Sequence, residues 1–141
     1  MKILLTGATG FVGSHILDSL RARGWNVRVL LRRSSNRQFI AKHLPDIEVS
    51  EGGIGDTESL VKAMDGVTHV IHCAGATKAR HNTEFDEINR IGTRNVVEAA
   101  NRHAGSISRF MLISSLAASH PATASAPARE DDPPSPVSEY G

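Results

Sequence analysis

Three glycines, spaced three residues apart, directly follow a short apolar run near the start of the chain. Gly7, Gly10 and Gly13 lie in the stretch Thr6–Gly13, after the aliphatic residues Ile3–Leu5. One glycine permits backbone angles closed to other residues, a second lets the backbone approach a ligand, and a third lets a helix pack closely on a strand. Because the free N–H groups at a helix start favour an anion, this loop predicts a site for the pyrophosphate of a dinucleotide.

The surroundings of this loop favour nucleotide binding over a simple turn. A glycine-rich turn can also just close the corner between a strand and a helix. Here a strand precedes the loop, a helix follows it, and a second strand begins near Trp25. Together they form the unit of about 30 residues in which such loops bind nucleotides. No Gly-Lys-Ser/Thr follows, which argues against a P-loop nucleotidase.

The end of the second predicted strand indicates which dinucleotide is bound. An acidic residue about 20 positions past the glycine loop usually binds the adenosine ribose hydroxyls of NAD. The chain instead has Arg32 and Arg33 after Leu31. Guanidinium groups do not accept hydrogen bonds from hydroxyls, but they pair with a 2'-phosphate. This pair favours NADP over NAD, although two arginines at a strand end can also be ordinary surface residues.

Two further stretches are candidates for cofactor contacts. Asp56 and Thr57 follow the third predicted strand, where an aspartate can accept from an adenine amino group or simply cap the next helix. Ala74, Gly75 and Ala76 follow the fourth strand. These small residues fit a backbone wall beside a cofactor, although a tight turn uses the same residue types.

Histidine and cysteine cluster in one strand without forming a metal-binding pattern. His69 and His72 would face opposite sides of the strand, and no second ligand pair accompanies them and Cys73. We therefore predict no metal site and expect these three to be core and loop residues.

The elements that must position these residues alternate along the chain. Apolar patterns predict strands near residues 2–5, 25–31, 47–49, 67–73 and 107–113, and helices near 11–23, 36–44, 57–66 and 84–103. In the first helix, Val12, Ile16 and Leu20 are predicted to share one apolar face with Leu17 beside them. The alternation predicts an α/β fold, a Rossmann-type doubly wound parallel sheet of about five strands.

The segment 116–141 is rich in Ala, Ser and Pro and holds five of the six prolines. Its composition alone would suit a disordered linker. Because it follows the carboxyl end of a core strand, where open parallel sheets place ligand-binding loops, we interpret it as an active-site loop. The predicted organisation is thus a nucleotide-binding core over 1–115 and a loop over 116–141.

Length and composition exclude several classes of protein. The 141 residues suffice for one domain, and the net charge of +1 gives no argument for a nucleic-acid partner. A single cysteine forms no internal disulfide, and no apolar span has the length of a membrane crossing or a signal-peptide core. We therefore expect a cytoplasmic protein with a small-molecule substrate and no membrane partner.

Taken together, the glycine loop, Gly55-Asp56, His72–Thr77, Asn89–Val96, Ser114-Ser115 and Tyr140 resemble the extended branch of the short-chain dehydrogenase/reductase superfamily. The resemblance covers the whole chain. It implies that the loop binds pyrophosphate, that Asp56 and Thr57 contact adenine, and that the Ala74–Ala76 turn lies beside the cofactor riboses. It also implies that Asn89 ties this region together. Three other loop residues, Thr9, Phe11 and Val12, join the predicted cofactor-binding set.

The resemblance also implies a mechanism. Ser115 would polarise a substrate oxygen, and Tyr140 would be the acid/base of a Tyr-x-x-x-Lys pair during hydride transfer between nicotinamide and a carbonyl or hydroxyl carbon. A tyrosine hydroxyl needs a nearby cation for this work near neutral pH, and the family supplies a lysine four positions later. Because the sequence stops at Gly141, we expect an inactive fragment that lacks this lysine and a carboxyl-terminal substrate domain.

Two other functions stay open at this point. A nucleotide-sugar epimerase or dehydratase would share the fold but usually prefers NAD. A non-catalytic NADP-binding sensor or scaffold is the alternative of a different class, because one fold hosts many functions. The long helix near residues 84–103 matches one that packs between subunits in the family, which makes a homodimer possible.

Overall fold

Five parallel strands form the centre of the protein, in the spatial order β3-β2-β1-β4-β5. The computed structural model describes the backbone of residues 1–141 and every side chain except that of residue 82. The strands are β1 (Lys2–Thr6), β2 (Asn26–Leu31), β3 (Glu48–Glu51), β4 (His69–His72) and β5 (Arg109–Leu112).

Helices fill the connections between these strands and cover both faces of the sheet. They are α1 (Phe11–Ala22), α2 (Thr57–Met64), α3 (Asn82–Phe85) and α4 (Gly92–Arg102), with 3₁₀ helices at Gln38–Asp46 and Leu116–Ala118 and a π-helical segment at Asp86–Ile91. The predicted α/β class and doubly wound parallel sheet are confirmed. Strand–helix alternation leaves little other choice, since each parallel crossover must return over one face.

The sheet separates two apolar cores, and the alternation of β1 shows why. Ile3 and Leu5 pack on the face covered by α1, whereas Leu4 packs on the face covered by α2 and α4. All three are almost fully buried, as expected for a central strand. Each contributes about 1.5–3 kcal/mol by leaving water. The central strands are therefore a rigid base for the loops that leave their carboxyl ends.

The first helix differs in one detail from the sequence prediction. Val12 was expected on the apolar face, but its side chain is 50% exposed. Leu17 and Leu20 are buried as predicted, and Ile16 is half-buried against the same core. Ser14, which was not predicted on that face, is also buried. The first turn of α1 lies at the carboxyl edge of the sheet, where no strand is left to cover Val12.

The predicted long helix near residues 84–103 is interrupted. Residues 86–91 form π-type turns between α3 and α4. Apolar spacing over so short a stretch cannot separate the α period from the slightly longer π period. At the junction, Gly92 lies so close to the Ile54 side chain that a Cβ there would be 2.6 Å from its Cδ1 atom.

The strand order places a crevice between β1 and β4. The chain leaves these neighbouring strands toward opposite faces, so their following loops diverge at the carboxyl edge. This is the position at which open α/β sheets bind ligands. Both loops, Gly7–Gly13 and Ala74–Thr77, are among those singled out from the sequence.

Candidate functional site

A cleft of about 460 Å³ lies at the carboxyl ends of β1, β4 and β5. It gathers eleven of the residues predicted from the sequence to bind or react. These are Gly7, Gly10, Phe11, Val12, Gly13, Ala74, Gly75, Ala76, Asn89, Ser115 and Tyr140. The first and last of these residues, 7 and 140, are 133 positions apart in the sequence, so only the fold brings them to one surface.

Two of the three glycines are required by the packing of the protein itself. Gly7 has a φ of 74°, in the left-handed region, and a Cβ there would lie 2.6 Å from the Ala74 nitrogen. At Gly13 a Cβ would lie 2.1 Å from the Gly7 carbonyl oxygen. Neither clash can be relieved by moving a side chain, because both involve backbone atoms. These glycines let β1, α1 and the loop after β4 approach closely.

Gly10 is different, because the protein leaves room beside it. A Cβ at this position would meet only the Gly7 carbonyl oxygen, at 3.4 Å. Its backbone is extended, with φ −80° and ψ 169°, so it is not strained. It lines the cleft and is exposed. A bare backbone with space above it fits the close approach of a ligand.

The start of α1 offers hydrogen-bond donors to that space. Gly10 is the residue before the helix, its missing side chain gives no cap, and no acidic side chain occupies the first turn. The N–H groups of Phe11 and Val12 are therefore left for another acceptor at the positive end of the helix dipole. This donor set and the open position at Gly10 fit the pyrophosphate of a dinucleotide.

The loop after β4 is held by an asparagine from the π-helical segment. Asn89 Oδ1 accepts from the Ala76 N–H at 2.7 Å, and its Nδ2 donates to the Ala76 carbonyl at 3.0 Å. A Cβ on Gly75 would lie 3.2 Å from the same Oδ1. Both backbone groups of Ala76 are thus satisfied by one side chain, which fixes the wall of the cleft.

Ser115 and Tyr140 lie on the same cleft, at the side formed by β5 and the segment after it. The Ser115 hydroxyl accepts from the Ala117 N–H at 3.2 Å and begins a 3₁₀ turn. The Tyr140 ring packs on Phe85 with 5.8 Å between ring centroids. The serine and tyrosine therefore face one cavity with the glycine loop.

Five predicted cofactor contacts lie outside the lining of this cleft: Thr9, Arg32, Arg33, Asp56 and Thr57. Asp56 caps α2, because its Oδ1 accepts from the N–H groups of Glu58 and Ser59. Its Oδ2 is not used in the cap.

The two arginines differ in their surroundings. Arg33 forms an ion pair with Glu51 on the neighbouring strand β3, and both side chains are exposed. Arg32 lies beside Gly53, where its side-chain carbons border the loop after β3. The pairing of Arg33 was not foreseen, because the sequence does not show that the ends of β2 and β3 are neighbours.

The sequence interpretation also missed a group of polar residues under the cleft. His72, which the sequence predicted to be a core or loop residue and not a metal ligand, is fully buried and lies between the hydroxyls of Thr6 and Thr93. Burial lowers the pKa of His72 to about 4. Burial also raises the pKa of the Cys73 thiol. Among the side chains that the structure describes, no three His, Cys, Asp or Glu residues come together as metal ligands.

Comparison with known proteins decides the family. The pattern of the NAD-dependent epimerase/dehydratase family matches residues 3–141, nearly the whole sequence. The chain belongs to this family. Among its family relatives, a ceramide reductase from Caulobacter vibrioides is 41% identical over 119 residues, covering 84% of this chain and 36% of the relative. A sterol-4-alpha-carboxylate 3-dehydrogenase from Bos taurus is 32% identical over 116 residues, covering 81% of this chain and 30% of that enzyme.

Solved structures of the family share the fold. A UDP-glucose 4-epimerase from Thermus thermophilus, in complex with NAD, matches with a TM-score of 0.82 and 28% identity over 99% of this chain and 46% of that one. A dTDP-glucose 4,6-dehydratase variant from Streptomyces venezuelae, with NAD bound, matches with a TM-score of 0.87 and 27% identity, covering 99% and 47%. The chain thus spans between 30% and 47% of the length of these family members.

The family match agrees with the Rossmann-type sheet and with a nicotinamide cofactor of the NAD(P) type. In the helices that the structure describes, we find no stretch both long and apolar enough to cross a membrane.

Proposed function

We propose that this chain is the cofactor-binding and reacting part of an NADP-dependent oxidoreductase that interconverts a carbonyl and a hydroxyl group. The observation that carries the proposal is a single cleft that joins the glycine loop, the Ala74–Ala76 turn, Ser115 and Tyr140. A dinucleotide site and a pair of hydroxyl-bearing side chains at its far side are what such a reaction needs.

The roles of the residues follow from their chemistry. The helix start at Phe11 and Val12 binds the pyrophosphate, and the turn held by Asn89 fixes the position of the nicotinamide half. When bound, the dinucleotide supplies or accepts the hydride. Ser115 donates a hydrogen bond to the substrate oxygen, and Tyr140 gives that oxygen a proton or takes one from it.

NADP is favoured by the end of β2. Arg32 is exposed there without an acidic residue beside it in sequence, and it can pair with a 2'-phosphate. Arg33 contributes less, because Glu51 already neutralises it. The bound NAD of the two structural neighbours belongs to those proteins and weighs against this preference.

Relatives suggest which carbonyl compounds to try first. The ceramide reductase and the sterol dehydrogenase are named for substrates with a large apolar part. The reacting side of the cleft includes the apolar residues Leu112, Ile113 and Ala118. A keto lipid or a 3-ketosteroid is therefore the proposed type of substrate.

A second candidate function is a nucleotide-sugar epimerase or dehydratase, favoured by the sugar-nucleotide enzymes among the structural neighbours. These enzymes are 28% and 27% identical to the chain, below the 41% of the ceramide reductase. A non-catalytic NADP-binding module is the third candidate function, but it would not require the Ser115 and Tyr140 hydroxyls.

Measured turnover distinguishes these functions. In a protein that extends this chain with the expected lysine and substrate domain, we expect NADPH oxidation with a keto lipid or a 3-ketosteroid, and a kcat lowered by about 10²–10⁴-fold in Tyr140→Phe, because general acid catalysis supplies that factor. The NADPH dissociation constant should stay within about twofold, since the removed hydroxyl acts on the substrate.

At the other reacting side chain, Ser115→Thr keeps the hydroxyl that donates to the substrate oxygen and should therefore keep most of the kcat. UDP-glucose epimerisation without ketone reduction would favour the second candidate. Tight NADPH binding without turnover of any of the three compounds would favour the binding module.

A further inference from the structure

Beneath the cleft, one buried histidine connects three elements through hydrogen bonds. His72 on β4 lies opposite Thr6 on β1 in the sheet register, and both point to the face covered by α4. His72 Nδ1 is 2.6 Å from the Thr6 hydroxyl, and its Nε2 is 3.0 Å from the Thr93 hydroxyl. The Ala74 N–H donates to the same Thr6 oxygen at 3.2 Å. A chain of polar groups therefore runs from the loop after β4 to the first turn of α4.

The hydrogen-bond directions in this chain are set by counting donors. The imidazole is neutral near pH 7, because burial lowers the pKa of His72 to about 4, so it carries one N–H. The Thr6 hydroxyl already accepts from Ala74 and is 1% exposed. Its proton needs an acceptor, and among the described residues His72 Nδ1 is the one within reach. Leaving a buried hydroxyl proton unpaired is unfavourable, so Nδ1 accepts and the ring proton lies on Nε2.

This assignment fixes what Thr93 does. Its oxygen accepts from His72 Nε2–H, so its own proton must point elsewhere. Thr93 is half-buried and lines the cleft, beside the turn that Asn89 holds. No carbonyl in the described part of the chain accepts a hydrogen bond from the Thr93 hydroxyl. The free direction of the hydroxyl is therefore toward the cleft.

The position of Thr93 indicates the ligand group. The strand order β1-β4-β5 puts the glycine loop at one side of the cleft, Ser115 at the other and the loop after β4 between them. Thr93 lines the same cleft and contacts His72 at the end of β4. A dinucleotide whose pyrophosphate lies at the glycine loop and whose reacting ring lies near Ser115 passes Thr93 with its nicotinamide half. That half offers ribose hydroxyl and carboxamide oxygens as acceptors.

We infer that His72 is a positioning residue that holds the Thr93 hydroxyl as a hydrogen-bond donor to an oxygen on the nicotinamide half of the bound dinucleotide. The ligand assignment rests on the function proposed above; the orientation of the hydroxyl rests on the buried contacts alone.

The orientation is tested by ¹⁵N NMR of the histidine-labelled chain without ligand. We expect the His72 ring to be neutral between pH 6 and 8, with the proton on Nε2 and Nδ1 as acceptor. A proton on Nδ1, or on both nitrogens, would overturn the assignment. This measurement needs no substitution, so it does not depend on a variant that folds.

The ligand contact is tested by calorimetry with NADP⁺, NAD⁺ and ADP. Thr93→Val should weaken binding of the preferred dinucleotide by about tenfold, the usual effect of one hydrogen bond, and leave ADP binding unchanged. Thr93→Ser keeps the hydroxyl and should restore the affinity. An equal loss for ADP, or no loss for the dinucleotide, would contradict the proposal.

A double substitution tests whether His72 affects binding by positioning Thr93 or only by stabilising the fold. His72→Phe should weaken dinucleotide binding about as much as Thr93→Val, and the double variant should lose no more than either alone, because both remove one oriented donor. Additive losses would show that His72 acts independently. If the unsubstituted chain bound neither dinucleotide, the proposed function and the ligand assigned to Thr93 would both fail, while the NMR result would still decide the orientation.

Discussion

Each of the three glycines in the first loop has a different structural environment. Gly7 combines a positive φ with close backbone contact to Ala74, and Gly13 lies against the Gly7 carbonyl group. Gly10 has neither constraint and borders only the open cleft. Substitutions should therefore separate the glycines that serve folding from Gly10, which we propose serves binding.

Gly10→Ala should lower the free energy of unfolding by only about 1 kcal/mol, the usual difference at a helix start. It should weaken dinucleotide binding by about 10–100-fold, because a methyl group in a close contact costs about 1–3 kcal/mol. Urea unfolding and calorimetry measure the two effects.

Gly13→Ala is the contrasting variant, with a loss of about 3 kcal/mol or more of unfolding free energy from its backbone clash. Gly55→Ala is the control, because a Cβ there meets nothing within 4 Å. Full dinucleotide affinity in Gly10→Ala would refute the ligand approach inferred at this loop.

At the residue scale, the proposed preference for NADP rests on Arg32. Arg32→Asp should weaken NADP⁺ binding by about 10–100-fold and improve NAD⁺ binding, because a carboxylate repels the 2'-phosphate but accepts from ribose hydroxyls. Calorimetry with both dinucleotides gives the ratio. Arg102→Asp makes the same charge change at the end of α4, outside the cleft lining. A retained NADP⁺ preference in Arg32→Asp would remove the basis for choosing NADP.

At the scale of elements, the segment after β5 is organised by one internal ion pair. His120 Nδ1 donates to the Pro121 carbonyl at 2.8 Å, and its Nε2 donates to Asp132 Oδ2 at 2.9 Å. Two acceptors require two ring protons, so this geometry needs the charged imidazolium. The Arg129 N–H donates to the same carboxylate oxygen at 2.7 Å. This clasp, His120 with Asp132, closes a loop that contains two prolines and four alanines.

The clasp should depend on pH. The hydrogen bond to Asp132 raises the pKa of His120 above its ordinary 6.5, so the clasp is complete below that pH and is lost as the pH rises through the raised value. The hydrogen bond to His120 lowers the pKa of Asp132 below 3.8, so the contact is also lost as the pH falls through that lowered value. The loop should be most ordered between about pH 4 and 6.5.

Amide protection at Arg129, corrected for the intrinsic exchange rate, measures this order. This protection should fall above neutral pH. In His120→Gln it should be low at every pH. His15→Gln, which changes an exposed histidine on α1, should leave the profile as it is. Protection that is the same at pH 5 and pH 9 would show that the ion pair does not organise the segment.

At the scale of the whole molecule, the two edges of the sheet are unequal. On the β3 edge, Glu48 and Glu51 carry charge. On the β5 edge, Met111 and Leu112 are about half exposed, and within the described residues no strand pairs with its outer side. An unpaired apolar edge is a template for pairing with another chain.

We therefore expect the 141-residue chain to self-associate through β5 as its concentration rises. Met111→Lys places a charge on that edge and should increase the monomer fraction in sedimentation velocity. Val49→Lys makes the same change on the β3 edge, where Val49 is also exposed, and should have little effect. Identical sedimentation of all three proteins would argue that the β5 edge does not drive association.

Local sequence signals predicted the order of strands and helices and the backbone and packing constraints at Gly7 and Gly13. They succeed because apolar alternation, helix capping and the turn chemistry of glycine act over a few residues. They failed at Val12, whose exposure depends on where the sheet ends, and at residues 86–91, where periodicity cannot separate π from α turns.

The sequence by itself also named most of the cleft, from the glycine loop to Tyr140. Only the tertiary structure decided how those residues are supported. His72 and Thr6 are 66 positions apart in the sequence, and His72 and Thr93 are 21 positions apart. Partners so far apart leave no periodic pattern, because their pairing arises when β1, β4 and α4 pack together. For that reason the sequence could predict His72 as a core or loop residue but could not show which two hydroxyls it contacts.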